Sequence, residues 1–121
     1  MAKINSFRDL EIWNLSHQLV LNIYKISESF PKKEEYRLTS QLLRATSSVP
    51  TNIAEGMGRY TKKEFINFLV IARGSIEESK YLLLLSKDLN YIAPNVYEDF
   101  NDRYDLVGKK INALINSLRN K

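Results

Sequence analysis

The chain has no cysteine, 4 glycines, 3 prolines and a single histidine in 121 residues. Without cysteine it can form no disulfide, hold no metal through thiolates and run no thiol chemistry. One histidine cannot supply the two Glu-x-x-His pairs of a di-iron helix bundle. No Ser-His-acid set, phosphate loop or dinucleotide fingerprint is present. Long apolar runs are also missing. The best, Tyr81-Leu82-Leu83-Leu84-Leu85, is stopped by Ser86, Lys87 and Asp88, well short of the roughly 18 residues a membrane span needs. The N-terminal Met1–Ser6 has no apolar signal core. The expectation is one soluble cytoplasmic domain over residues 1–121, with no membrane partner, no cofactor, no metal and no enzymatic site.

Four long segments carry apolar residues at spacings of three and four, the mark of amphipathic helices. The first, about Phe7 to Ser29, has the stripe Ile12, Leu15, Leu19, Ile23, Ile26 and Phe30. The second, about Lys33 to Met57, has Leu38, Leu42, Ala45, Val49 and Ile53. The third, about Lys62 to Leu89, has Phe65, Leu69, Ala72, Ile76 and Leu83. The fourth, about Val96 to Arg119, has Phe100, Tyr104, Val107, Ile111, Leu114 and Leu118. Start signals precede each: Ser6…Asp9, Pro31 before Glu34 and Glu35, Thr61…Glu64, and Asn95…Glu98 after Pro94. The intervening connections are short, which forces antiparallel neighbours. The expected fold is all-α, an up-down-up-down four-helix bundle.

Pro50 interrupts the second segment, because it removes a backbone donor and crowds the preceding turn. It either splits the helix, with Ser47 or Ser48 capping a new one, or leaves one kinked helix. The stripe stays in phase across Pro50 and favours the kink.

The first segment carries a second apolar stripe, Leu10, Trp13, Val20, Leu21 and Tyr24, with His17 among them. A bundle helix needs one broad apolar face, so this stripe is the candidate self-association surface. A second candidate constellation is Asn52, Glu55 and Arg59 near the end of the second helix, facing Ser75 and Glu78 on the third. It reads as a polar network joining the two helices, with Gly74-Ser75 marking a close backbone approach. As paired acids for hydrolysis, Glu55 and Glu78 lack a nucleophile, metal set or cleft.

Net charge is +4 and the isoelectric point about 9.3. The excess gathers around the second segment, where Lys33, Arg37, Arg44, Arg59, Lys62 and Lys63 are candidate phosphate contacts for RNA or DNA. A solvated charged face is the plain alternative. No helix-turn-helix spacing, RNP motif or stacking platform indicates sequence-specific reading.

Several ordered motifs resemble a bacterial family: Phe7-Arg8-Asp9-Leu10 with Trp13, Phe30-Pro31-Lys32-Lys33-Glu34-Glu35, Leu38-Thr39-Ser40-Gln41-Leu42-Leu43-Arg44-Ala45, Asn52-Ile53-Ala54-Glu55-Gly56 and Gly74-Ser75-Ile76-Glu77-Glu78. Together, across about residues 7 to 95, they look like the 23S ribosomal-RNA intervening-sequence proteins. That family includes the accessory variability protein of diversity-generating retroelements. The resemblance implies a four-helix bundle assembling as a ring-shaped homopentamer, an association with nucleic acid, and a reverse transcriptase with its RNA as an implied partner.

Overall fold

The computed structural model describes residues 5–120, which form four α-helices and no strand. They are α1 (Glu11–Ser27), α2 (Leu38–Met57), α3 (Lys62–Asp88) and α4 (Pro94–Arg119). Each packs beside its neighbour in sequence, α2 and α3 most extensively, and α4 closes back onto α1. The bundle is therefore all-α with up-down-up-down order.

The core is built from the four predicted stripes. Leu19, Ile23, Leu42, Val49, Ile53, Leu69, Leu83, Tyr104, Val107 and Ile111 are essentially without solvent contact. Leu15, Ile26, Phe65, Leu114 and Leu118 are only partly buried and rim that core. Ile115, outside the predicted stripe, is fully buried.

Helix ends depart from the expectation in two places. The Ser6–Asp9 cap exists, with Asp9 accepting from the Asn5 and Ser6 amides and Ser6 Oγ from the Arg8 amide. It closes only a 3₁₀ turn over Phe7–Asp9, because Leu10 is extended (φ −87°, ψ 128°). The Asn14 amide splints this turn to α1 by donating to the Arg8 and Leu10 carbonyls. The second helix begins at Leu38, not Lys33. Residues Lys32–Glu34 form a second 3₁₀ turn, and Arg37 (φ −118°, ψ −108°) separates it from α2. No side chain caps α2 there, so a proline followed by two glutamates was too little to start a helix. α4 starts on Pro94 itself, whose fixed φ suits a first helical position.

α2 runs without interruption through Pro50, which rules out the split. α3 ends in a left-handed residue, Asn90 (φ 64°). The Asn90 amide bonds the Lys87 carbonyl and the Tyr91 amide the Ser86 carbonyl, both at 2.9 Å, the paired closure of a Schellman turn.

Two glycines contrast. A Cβ on Gly56 would lie 2.8 Å from Phe68 Cβ and 2.9 Å from Phe65 Cδ1. Gly56 is thus a point of close approach between the end of α2 and the start of α3. Gly74, expected to mark such an approach, is exposed, and a Cβ there meets nothing within 4 Å. Gly74→Ala should therefore stabilise the protein by about 0.5–1 kcal/mol, the helix-propensity difference. A raised urea midpoint checks this; a lowered one would mean that a methyl group at Gly74 meets an obstacle, such as a second copy of the chain.

Candidate functional site

The apolar candidate lies on α1 and the polar one spans α2 and α3, and the structure sorts them differently. Trp13 and His17, one turn apart on α1, stack with ring centres 4.7 Å apart and planes 16° off parallel. Phe7, brought in by the 3₁₀ turn, meets the Trp13 ring edge-on at 4.9 Å. With Val20, these rings form one wall of a cleft of about 410 Å³ whose other wall is Ser47, Pro50, Thr51, Ala54 and Glu55 of α2. Leu10, Trp13, His17 and Val20 are partly buried, whereas Leu21 and Tyr24 remain about half exposed at 49% and 48%. The stripe therefore divides: its Trp13–Val20 part lines the α1–α2 cleft, and its Leu21–Tyr24 part faces outward. Tyr24 also borders a second cleft of about 410 Å³ with Phe30, Pro31, Thr39 and Leu43.

The polar constellation is only partly connected. Asn52 donates to the Ser48 carbonyl (2.8 Å) and to Ser48 Oγ (2.9 Å). Ser48 Oγ meets Ser75 Oγ across the helix pair at 2.9 Å. Ser48 is thus the relay between Asn52 and Ser75, a role that sequence reading missed by treating it only as a cap for a split helix. Ser79 extends the chain by donating to the Ser75 carbonyl at 2.8 Å. Glu55 and Arg59 stand apart from it as an exposed pair at 3.9 Å. Glu78 is exposed and bonds to none of these residues. Buried serines suit this joint because each hydroxyl can return to its own helix when it lacks a partner.

Among the described residues, no group of three or more His, Asp or Glu side chains is placed to hold a metal ion. No helix is long and apolar enough to cross a membrane.

The six candidate phosphate contacts are all exposed, but they do not form one patch. Lys33 and Arg37 stand before α2, Arg44 lies along it, and Arg59, Lys62 and Lys63 follow it. Twenty residues of helix separate the two ends by roughly 30 Å. In chain order the cations make a sparse track from one end of α2 to the other, with Arg44 alone along the helix. Among the six, Arg59 pairs with Glu55. Elsewhere Lys80 meets Asp105 at 2.6 Å, Lys110 meets Glu11 at 2.9 Å, Arg103 meets Asp99 at 3.5 Å and Lys87 meets Asp88 at 3.7 Å. Lys33, Arg44 and Lys63, like Lys25, Lys32 and Lys109, have no carboxylate, hydrogen-bond or ring partner among the described residues. Arg59 is steadied over the Phe68 ring at 4.8 Å.

Residues 8–113 match the family model described as 23S rRNA-intervening sequence protein. Among solved structures, a protein of unknown function from the S23 ribosomal protein family of Bacteroides thetaiotaomicron VPI-5482 shares the fold. It is 25% identical, with a TM-score of 0.79 over 87% of this chain and 95% of that one. No protein of curated function matches.

Proposed function

The chain belongs to the 23S rRNA-intervening sequence protein family, and we propose that it is a non-enzymatic, self-associating scaffold that holds nucleic acid along α2. The exposed charge of Lys33, Arg44 and Lys63, which has no carboxylate partner among the described residues, carries this reading. Exposed cations with no carboxylate partner bind phosphates without first breaking an ion pair, and they release counterions on doing so. Self-association through the α1 stripe, as a homopentamer by family resemblance, multiplies the track around a ring and raises the field. A reverse transcriptase with its RNA is one partner of the right chemistry. The non-enzymatic reading is supported by the exposed, separate positions of Glu55 and Glu78.

The test is binding of mixed RNA by the intact protein across a salt series. Micromolar or tighter binding at about 50 mM salt, falling steeply by about 200 mM, is expected. Arg44→Ala and Lys63→Ala should each lower the log–log salt slope by roughly one. An intact oligomer that binds nothing at low salt sinks the proposal.

The apolar α1–α2 cleft favours a second reading, a protein-interaction module with no nucleic-acid role. That reading expects Arg44→Ala to leave recovery of a protein partner unchanged, while Val20→Lys abolishes it.

A further inference from the structure

Two tyrosines contribute almost nothing to the bundle. Tyr60 is 103% exposed and Tyr36 is 89% exposed, far beyond the other aromatic side chains. Each stands in a connection beside α2, and each is flanked by the cations described above. Tyr60 lies between Arg59 and the Lys62–Lys63 pair, in the turn joining α2 to α3. Tyr36 lies between Lys33 and Arg37, with Glu34 and Glu35 preceding it, in the turn leading into α2. The less exposed rings have no such setting. Tyr81, at 60%, follows Lys80, whose charge is taken by Asp105 and Glu77. Tyr24, about half exposed, shares its cleft with Glu28 and Glu35 as well as Lys32.

We propose that Tyr60, with Tyr36 as its counterpart at the other end of α2, is a stacking platform for unpaired bases of a single-stranded nucleic acid whose phosphates are held by the neighbouring cations. This rests on the nucleic-acid reading above and adds the class of strand. A duplex keeps its bases stacked inside and offers a protruding phenol ring no base face. An open strand can lay its bases on that ring. Every base has such a face, so this mode tolerates sequence, in keeping with the lack of any base-reading motif. Arg59, the residue before Tyr60, has its guanidinium seated on Phe68 and drawn toward Glu55. The two platforms are roughly 30 Å apart along the helix axis, with the unpaired Arg44 between them. A strand touching both would run the length of α2.

The experiment compares a short, labelled, unstructured RNA with its blunt duplex, by fluorescence anisotropy on the full-length protein at about 50 mM salt. The single strand should bind more tightly than the duplex. Tyr60→Ala should weaken it by about five- to a hundredfold without changing the salt slope, Tyr60→Phe should retain affinity, and Tyr36→Ala should act in the same direction. Tyr60 lies outside the core, so the circular dichroism of the variants should match that of the parent. If Tyr60→Ala binds as tightly as the parent while Arg44→Ala and Lys63→Ala weaken it, stacking is overturned and the charge reading stands. Equal affinity for strand and duplex likewise overturns stacking. If the parent protein binds neither RNA, both readings fall.

Discussion

Gly56→Ala should destabilise the bundle by about 1–3 kcal/mol, the range for forcing a methyl group into a filled contact. The new Cβ would meet Phe65 Cδ1 at 2.9 Å and Phe68 Cβ at 2.8 Å. The Phe65 ring can swing aside. Phe68 Cβ cannot, because it moves only with the α3 backbone, so relief requires α2 and α3 to separate. Alanine's better helix propensity offsets part of the cost, though less at the next-to-last residue of α2 than in mid-helix. The same glycine-to-alanine change at Gly74 is expected to have the opposite sign. Urea unfolding of the two variants side by side measures both. A Gly56→Ala protein as stable as its parent would mean that the helix pair yields freely at this point.

Tyr104→Ala should cost about 3–5 kcal/mol, as truncating a buried aromatic residue does. Tyr104 is 0% exposed and its hydroxyl hydrogen-bonds Thr46 across the core. Tyr104→Phe isolates that hydroxyl and should cost about 1 kcal/mol. The loss stays small because Thr46 can bond a carbonyl of its own helix. Burial pushes the Tyr104 phenol above its ordinary value of 10, while hydrogen bonds with Thr46 and Ser79 pull it part of the way back. The unfolded chain therefore gives up this proton before the folded protein does. Stability is fully present below pH 10 and is lost as pH rises above that value toward the folded group's higher one. The hydrogen bond to Asp105, with ion pairing, raises Lys80, and the hydrogen bond to Glu34 raises Tyr91, so both act in the same direction. Chemical denaturation at rising alkaline pH should show a shallower decline for Tyr104→Phe than for the parent. Identical slopes would place the alkaline loss elsewhere.

What was legible in the sequence follows from what periodicity encodes. Apolar residues at three and four report which face is buried, so the four helices and nearly all of the core could be read directly. Helix ends depend on one or two backbone angles, and these left weaker traces. A proline with two glutamates resembles a helix start, but Arg37 turns the chain away before α2 begins. Ser6 and Asp9 form their cap, yet the extended Leu10 confines it to one turn. The joint between α2 and α3 was traceable through Asn52 and Ser75, whereas Ser48 was not, because a serine hydroxyl looks the same in sequence whether it caps, back-bonds or bridges. Neither Gly56 nor Gly74 announces its surroundings: one is pressed against Phe68 and the other opens to solvent. Tyr36 and Tyr60 escaped notice for a related reason. A lone aromatic beside charges carries no periodic signal, and only the fold shows that the ring has been left out.

Because every helix lies against the one before it, most of the bundle can assemble from segments already close along the chain. Short connections keep the entropy of bringing each pair together low. The return of α4 to α1 joins the most distant parts of the chain and is the slimmest contact between helices, fastened by Lys110 to Glu11 and by Arg103 to Asn22. Such a topology belongs with proteins that fold quickly, each hairpin of helices serving as the template for the next as the chain is synthesised.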